Sequence, residues 1–154
     1  MLYITLMFDH CLFFNATALA RSVERAWAQV FEKFDLTPPQ AFMLRAVLAK
    51  PGLLQGELAA TLSISRPTTT RALDALEQRR LIVRRASKRD GREQGVFPTP
   101  AAESLRDGLN AEAAAMTQRL KELLGDDLFV SSVRDMRVVR DKLERPQFTR
   151  NKGE

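Results

Sequence analysis

At 154 residues, 45% hydrophobic and 28% charged, the chain has the balance of a soluble globular protein and fits one domain with a real core, or one domain plus an oligomerisation arm. A net charge of +5 favours an anionic partner, nucleic acid foremost. One cysteine excludes an internal disulfide, and a single histidine leaves little material for a metal site or a Cys–His dyad.

The opening Met1–Phe8 is apolar, yet no Lys or Arg precedes it and no small-residue cleavage site follows. It breaks at Asp9 and His10, far short of the ~20 residues that span a bilayer. The expectation is therefore a cytoplasmic protein with no membrane partner. Residues 9–34 lack Pro and Gly, and Leu12, Ala16, Leu19, Val23, Ala26, Val30 and Phe34 recur in steps of three and four. A second stripe, Phe13, Ala20, Trp27 and Phe31, lies beside the first. A helix of this length reaches ~39 Å, more than a small core covers, so its wide apolar surface predicts a partner helix. Asp9 is the expected cap.

Thr37 followed by two prolines predicts the cap and first turn of the next helix, with Phe42, Met43, Ala46, Val47 and Leu48 buried and Pro51-Gly52 as its stop. Two short helices follow, about Gln55–Leu62 and Ser65–Gln78. Leu58, Ala59 and Leu62 face the core from the first. Thr69, Ala72, Leu73 and Leu76 do so from the second, and Ile64 plugs the core between them. Leu81–Arg85 and Glu93–Phe97 read as short strands joined through an Asp90-Gly91 turn.

Pro100 opens a long helix to about Leu124, with Leu105, Leu109, Met116, Leu120 and Leu123 on one face. Asp126 is the expected cap of a last helix bearing Phe129, Val133, Met136, Val139 and Leu143. The paired acids Asp126-Asp127 read as an acidic helix start rather than a catalytic pair.

The second short helix turns a small, hydroxylated, cationic surface outward: Ser65, Arg66, Pro67, Thr68, Thr70 and Arg71. Threonine offers a hydroxyl and a methyl to base edges, and arginine grips guanine with two hydrogen bonds. Beside it, Arg79, Arg80, Arg84, Arg85, Lys88, Arg89 and Arg92 gather around the hairpin with few acids between them. Such a cluster repels itself unless an anion is near, which points to duplex DNA.

The order ELAATLSISRPTTTRALDALEQRRLIVRR, then Asp90-Gly91-Arg92 and a strand ending at Thr99, resembles the MarR (multiple antibiotic resistance regulator) family. The flanking long helices match it in order and length. The resemblance implies a mostly α-helical, winged helix-turn-helix protein with a small β-hairpin wing. It divides the chain into an N-terminal dimerisation helix (9–34), a DNA-binding domain (35–99) and C-terminal dimerisation helices (100–145). It further implies a homodimer on a pseudo-palindromic operator, a repressor released by a small effector, with no catalytic, metal or cofactor site. The recognition helix would enter the major groove. Arg85, Lys88, Arg89, Asp90 and Arg92 would serve the wing, Arg92 entering the minor groove while Asp90 orients its neighbours. Three positions depart from the family pattern. Arg80 stands where glycine is usual, Pro98 suggests an edge strand, and Ala102 replaces a glycine after the wing.

Phe14, Phe42 and Arg45 are the expected lining of an effector space for a small phenolic or other apolar or anionic ligand. In the hydroperoxide-sensing branch of the family a reactive cysteine sits near the start of the long helix, where Cys11 stands. The tyrosines that hydrogen-bond that cysteine have no counterpart, since Phe42 occupies the matching stretch and the only tyrosine is Tyr3. An ordinary, partly buried thiol is expected, with a Cys11 peroxide sensor and a helical adaptor that binds no DNA as the rival readings. Phosphate-binding GxxxxGK[ST], GxSxG, HExxH and paired CxxC motifs are absent, which argues against an enzyme.

Overall fold

The computed structural model describes residues 8–86 and 94–145. The chain divides into two compact units, Met1–Ala113 and Ala114–Glu154. The first contains helix α1 (Leu12–Phe31), a 3-10 turn (Glu32–Phe34), α2 (Pro38–Ala49), strand β1 (Leu53–Leu54), α3 (Gln55–Leu62), α4 (Arg66–Gln78), β2 (Ile82–Ala86) and β3 (Gln94–Pro98). It also holds the opening of α5 (Pro100–Leu124), whose remainder forms the second unit with α6 (Asp126–Leu143).

Helix α1 starts later than its periodicity suggests. Cys11 rather than Asp9 takes the cap position, without a side-chain cap bond. The reason lies in Asn15, whose amide donates to the carbonyls of Phe8, Asp9 and Cys11 at 3.2, 3.0 and 3.0 Å. Those bonds hold the preceding residues in a turn. At the other end Asp35 adopts a left-handed conformation (φ 54°), which stops the 3-10 turn. Along all of α1 only Val30 and Phe31 are buried, and Leu12, Phe13, Leu19 and Val23 stand exposed.

Thr37 caps α2 with Pro38 and Pro39 in its first turn, and the bond that secures the turn is the Gln40 side-chain oxygen accepting from the Thr37 N–H at 3.0 Å. The buried set is Ala41, Met43, Leu44, Val47 and Leu48, with Phe42 and Ala46 only half-buried. The helix packs against α1, α3, α4 and β3 together, so more of its circumference is covered than one stripe.

Helices α3 and α4 form a helix-turn-helix. Ser63 (φ 52°) ends α3, and the Ile64 N–H donates to the Ala59 carbonyl at 3.1 Å. Ile64 is half-buried, so it covers the edge of a core that Leu58, Leu73 and Leu76 fill from within. Thr69, fully buried, gives its hydroxyl proton to the Ser65 carbonyl at 3.0 Å and so carries no unpaired donor.

The strands form one antiparallel sheet in the order β1-β3-β2, with Leu53 opposite Val96 and Arg84 opposite Val96 on the other side. Sequence periodicity misses the two-residue β1, and with it the central place of β3. Pro98 therefore belongs to the middle strand, at the end of it that β1 does not reach. The Val96 carbonyl accepts from Gly52 on the β1 side, so the absent N–H of Pro98, two residues on, also faces that side. β1 has its last pairing at Val96, and the ladder loses nothing. Gly52 is required here: its φ is +87°, and a Cβ would meet the Phe97 ring at 3.2 Å.

Arg80, standing where the family pattern has glycine, takes the left-handed conformation that glycine favours (φ 57°), at a cost of ~1 kcal/mol. Arg80 and Leu81 close the end of α4 through N–H bonds to Glu77 (2.8 Å) and Leu76 (2.9 Å), and Thr99 accepts the loop by donating its hydroxyl to the Arg80 carbonyl at 2.8 Å. Ala102 is fully buried at the start of α5.

In the second unit, Gly125 (φ 78°) is the cap of α6, and Asp126 is its first helical residue instead of its cap. Asp126 and Asp127 in the first turn and Arg140 and Lys142 in the last complement the helix dipole. No residue of α6 is buried, although it carries Leu128, Val130, Val133, Met136, Val138, Val139 and Leu143. No helix among the described residues is long and apolar enough to cross a membrane.

Candidate nucleic-acid interface

The first turn of α4 is built by Ser65, whose hydroxyl accepts from the Thr68 N–H at 3.3 Å and shares a proton with the Thr68 hydroxyl at 2.8 Å. Pro67 fits that turn because its missing N–H would have no helical partner. Arg66, Pro67 and Arg71 are exposed on the outer arc, flanked by half-buried Thr68 and Thr70. Neither Arg66 nor Arg71 has an ion-pair partner among the described residues. The face expected from the sequence is thus assembled by the first two turns of one helix, with its two guanidiniums exposed.

One residue of this surface is invisible to the sequence pattern. Gln55, the first residue of α3, donates its amide to the Thr70 hydroxyl at 2.6 Å. The only sequence hint is a polar side chain at the start of the helix preceding the recognition helix.

The arginines of the hairpin are less uniform than their density implies. Arg84 bridges Asp74 at 2.5 Å and Glu77 at 3.3 Å, its side chain only 21% exposed. Arg79 binds the Asp35 carboxylate at 3.3 Å and the Phe34 carbonyl at 3.1 Å, and also the Asp35 carbonyl. The expected acid-poor cluster is corrected accordingly: α4 itself and the turn before α2 provide the counter-charges. Arg80 and Arg85 are exposed, and Arg85 lies 5.8 Å over the Phe97 ring. The expected wing residues Lys88, Arg89, Asp90 and Arg92, with the Asp90-Gly91 turn, lie outside the described residues.

Of the expected effector residues, Phe42 and Arg45 come together. Phe42 meets the edges of Trp27 at 5.1 Å and Phe31 at 5.5 Å, and the Arg45 guanidinium sits 5.6 Å over its ring. Arg45 also donates to the Asn110 side-chain oxygen at 3.0 Å, and burial pushes its guanidinium below the usual arginine range. Phe14 is not part of this cluster. It stacks on Phe8 at 5.2 Å, and the step of 13 positions from it to Trp27 amounts to about 20 Å of helix. Trp27 and Asn110 are the members that sequence reading left out.

Cys11 is half-buried at the cap of α1, its carbonyl held by Asn15 and its N–H by Phe8. Neighbouring His10 is exposed.

A family model described as the MarR family matches residues 34–93, from the end of the 3-10 turn through α4 and β2. The structure is similar to that of the transcriptional repressor CouR bound to a 23-mer DNA duplex, with a TM-score of 0.76 and 29% identity over 86% of this chain and 94% of that one. Over residues 34–93 the chain is similar to the MarR family. A curated relative, an uncharacterized HTH-type transcriptional regulator YybA of Bacillus subtilis, is 26% identical over 100 residues, 65% of this chain and 67% of its own length. The fold also matches the S. aureus MepR–DNA complex, with a TM-score of 0.75 and 22% identity over 88% of this chain and 100% of that chain. The chain has the winged-helix fold of these regulators, and its similarity to them supports a DNA-binding transcriptional regulator.

Proposed function

We propose that the protein is a homodimeric repressor that binds a pseudo-palindromic operator and is released by a small aromatic or anionic effector. The observation that carries the DNA face is the first two turns of α4, where Arg66 and Arg71 stand exposed without counter-ions beside Thr68 and Thr70. Ser65 and Pro67 set the first turn, Arg85 extends the charge onto β2, and the sequence adds Lys88, Arg89, Asp90 and Arg92 as the wing that reaches the minor groove.

Dimerisation is supported by apolar side chains that the chain itself leaves uncovered, Leu12, Leu19 and Val23 on α1 and Val133 and Met136 on α6. A second copy with the same faces covers them and sets two recognition helices about one DNA turn, ~34 Å, apart. For the effector, Arg45 over the Phe42 ring offers a cation and an aromatic wall in one place. A solved structure of CouR holds p-coumaroyl-CoA, and the Bordetella bronchiseptica regulator BpsR is described as controlled by 6-hydroxynicotinic acid. An aromatic acid is therefore the ligand class to try first. Cys11 acts as a packing thiol in this reading.

The test is selection of a randomised duplex library on the purified protein. An enriched inverted repeat is expected. Enrichment of no motif, or of one without two-fold symmetry, refutes the proposal.

A further inference from the structure

Thr70 does not meet solvent as a free hydroxyl. Its single proton goes to the Arg66 carbonyl at 3.0 Å, and one lone pair receives the Gln55 amide at 2.6 Å. A hydroxyl has one donor and two acceptor positions, so a single lone pair and the γ-methyl remain for an outside ligand. We infer that Gln55 locks Thr70 as an acceptor-only reader of the major groove, selecting bases that present an amino group. This rests on the proposed seating of α4 in that groove.

Helical threonines divide between two χ1 rotamers, one of which bonds the carbonyl four residues back. The observed conformation makes both the Arg66 and the Gln55 bonds, so the Gln55 bond adds to its stability. A hydroxyl that turned away from these two partners would be free to offer its proton outward.

Gln55 is well placed to hold the lock. Leu54 before it pairs with Gly95 in the sheet, and the Leu54 N–H is taken by the Glu57 carboxylate at 2.8 Å. The start of α3 is thus fixed on two sides, and the Gln55 side chain reaches across to α4 from a rigid base. Thr68 makes the contrast. It shares a proton with Ser65, and either oxygen can be the donor, so its polarity switches without loss of a bond.

In the major groove the amino donors are adenine N6 and cytosine N4, whereas thymine O4 and guanine O6 are acceptors. An acceptor-only Thr70 faces repulsion from the latter pair. At one position of each half-site, adenine or cytosine should be preferred on the strand it reads by roughly tenfold.

The experiment is base-preference profiling of randomised duplexes on wild type, Thr70→Ser, Thr70→Val and Gln55→Ala. Thr70→Ser should keep the amino preference, Thr70→Val should lose it, and Gln55→Ala should admit guanine and thymine at that position. Retention of the preference by Thr70→Val overturns the inference. So does Gln55→Ala binding every sequence more weakly with its preference intact, since that pattern marks a merely structural glutamine. Both outcomes leave DNA reading standing, whereas a wild type that enriches no motif overturns the DNA reading and this inference together. Thermal unfolding of each variant checks that all are folded.

Discussion

Replacing Arg84 by methionine tests the tie between the recognition helix and the wing. In the native chain its guanidinium bonds Asp74 at 2.5 Å and Glu77 at 3.3 Å, and Glu77 also accepts the Arg84 main-chain N–H at 3.3 Å. Exposed ion pairs contribute ~0–1 kcal/mol, and breaking a fully buried pair costs ~3–5 kcal/mol. Here the Arg84 side chain is 21% exposed and its acids are 47% and 41% exposed, which places the site between those limits. Removal of the cation also leaves Asp74 and Glu77 as like charges three residues apart on α4, a further penalty of a few tenths of a kcal/mol. The aliphatic stem of methionine keeps most of the packing, so the expected cost is ~1–3 kcal/mol. Urea unfolding of wild type, Arg84→Met, Asp74→Ala and the double variant gives the coupling energy. We expect it to be near 1 kcal/mol and to shrink with salt. A coupling indistinguishable from zero refutes the argument, and Arg84 would then be one more solvated wing arginine.

Affinity for the selected duplex should fall steeply between low and physiological salt, and Arg71→Ala should cost ~1–3 kcal/mol at one base position; a flat salt profile in a filter or anisotropy titration contradicts this. Arg92→Ala should weaken binding chiefly on A·T-rich flanks, which a comparison of flanking sequences reads directly. Light scattering at micromolar concentration should give a dimer for wild type and a lighter species for Val133→Asp, and a wild-type monomer refutes the dimer. Organic hydroperoxide should release DNA from wild type and Cys11→Ser to the same small extent; release that vanishes only in the variant would promote Cys11 to a sensor.

The helix-turn-helix was legible because its signals are local. Ser65 as a cap, Pro67 in the first turn and the Thr69, Ala72, Leu73, Leu76 arc all act within one or two turns of chain, and the buried residues of α4 are those four. The left-handed Arg80 could be anticipated from the family pattern instead, which has glycine at that position. What escaped depends on groups distant in sequence. β1 is two residues long and is defined by its pairing with Val96 and Gly95, more than forty positions away. Arg84 and Arg79 look like free cations until the fold brings Asp74, Glu77 and Asp35 to them. Gln55 is silent for the same reason, because its partner lies on the next helix. Asp9 is not the cap because the Asn15 amide, bound to the Phe8, Asp9 and Cys11 carbonyls, holds the preceding residues in a turn and the helix starts after it.

The internal neutralisation of Arg79 and Arg84 changes how a net charge of +5 should be understood. Self-repulsion of a cationic hairpin is an argument for an external anion, yet two of those guanidiniums are paired with carboxylates of the same chain. They spend their charge on holding α4, β2 and the turn before α2. The uncompensated cations of the described residues on the outer arc of α4 are then Arg66 and Arg71, with Arg80 and Arg85 at the hairpin base. A small number of free cations on a braced helix is a better reader than a diffuse basic surface. Phosphate attraction over a broad patch binds every sequence alike, whereas specificity needs side chains whose positions are fixed before DNA arrives. Arg84 and Arg79 brace the helix body, Ser65 sets its first turn, and Gln55 sets the Thr70 hydroxyl. Each bond removes a freedom that base contacts would otherwise have to freeze, so less of the binding energy is lost to ordering.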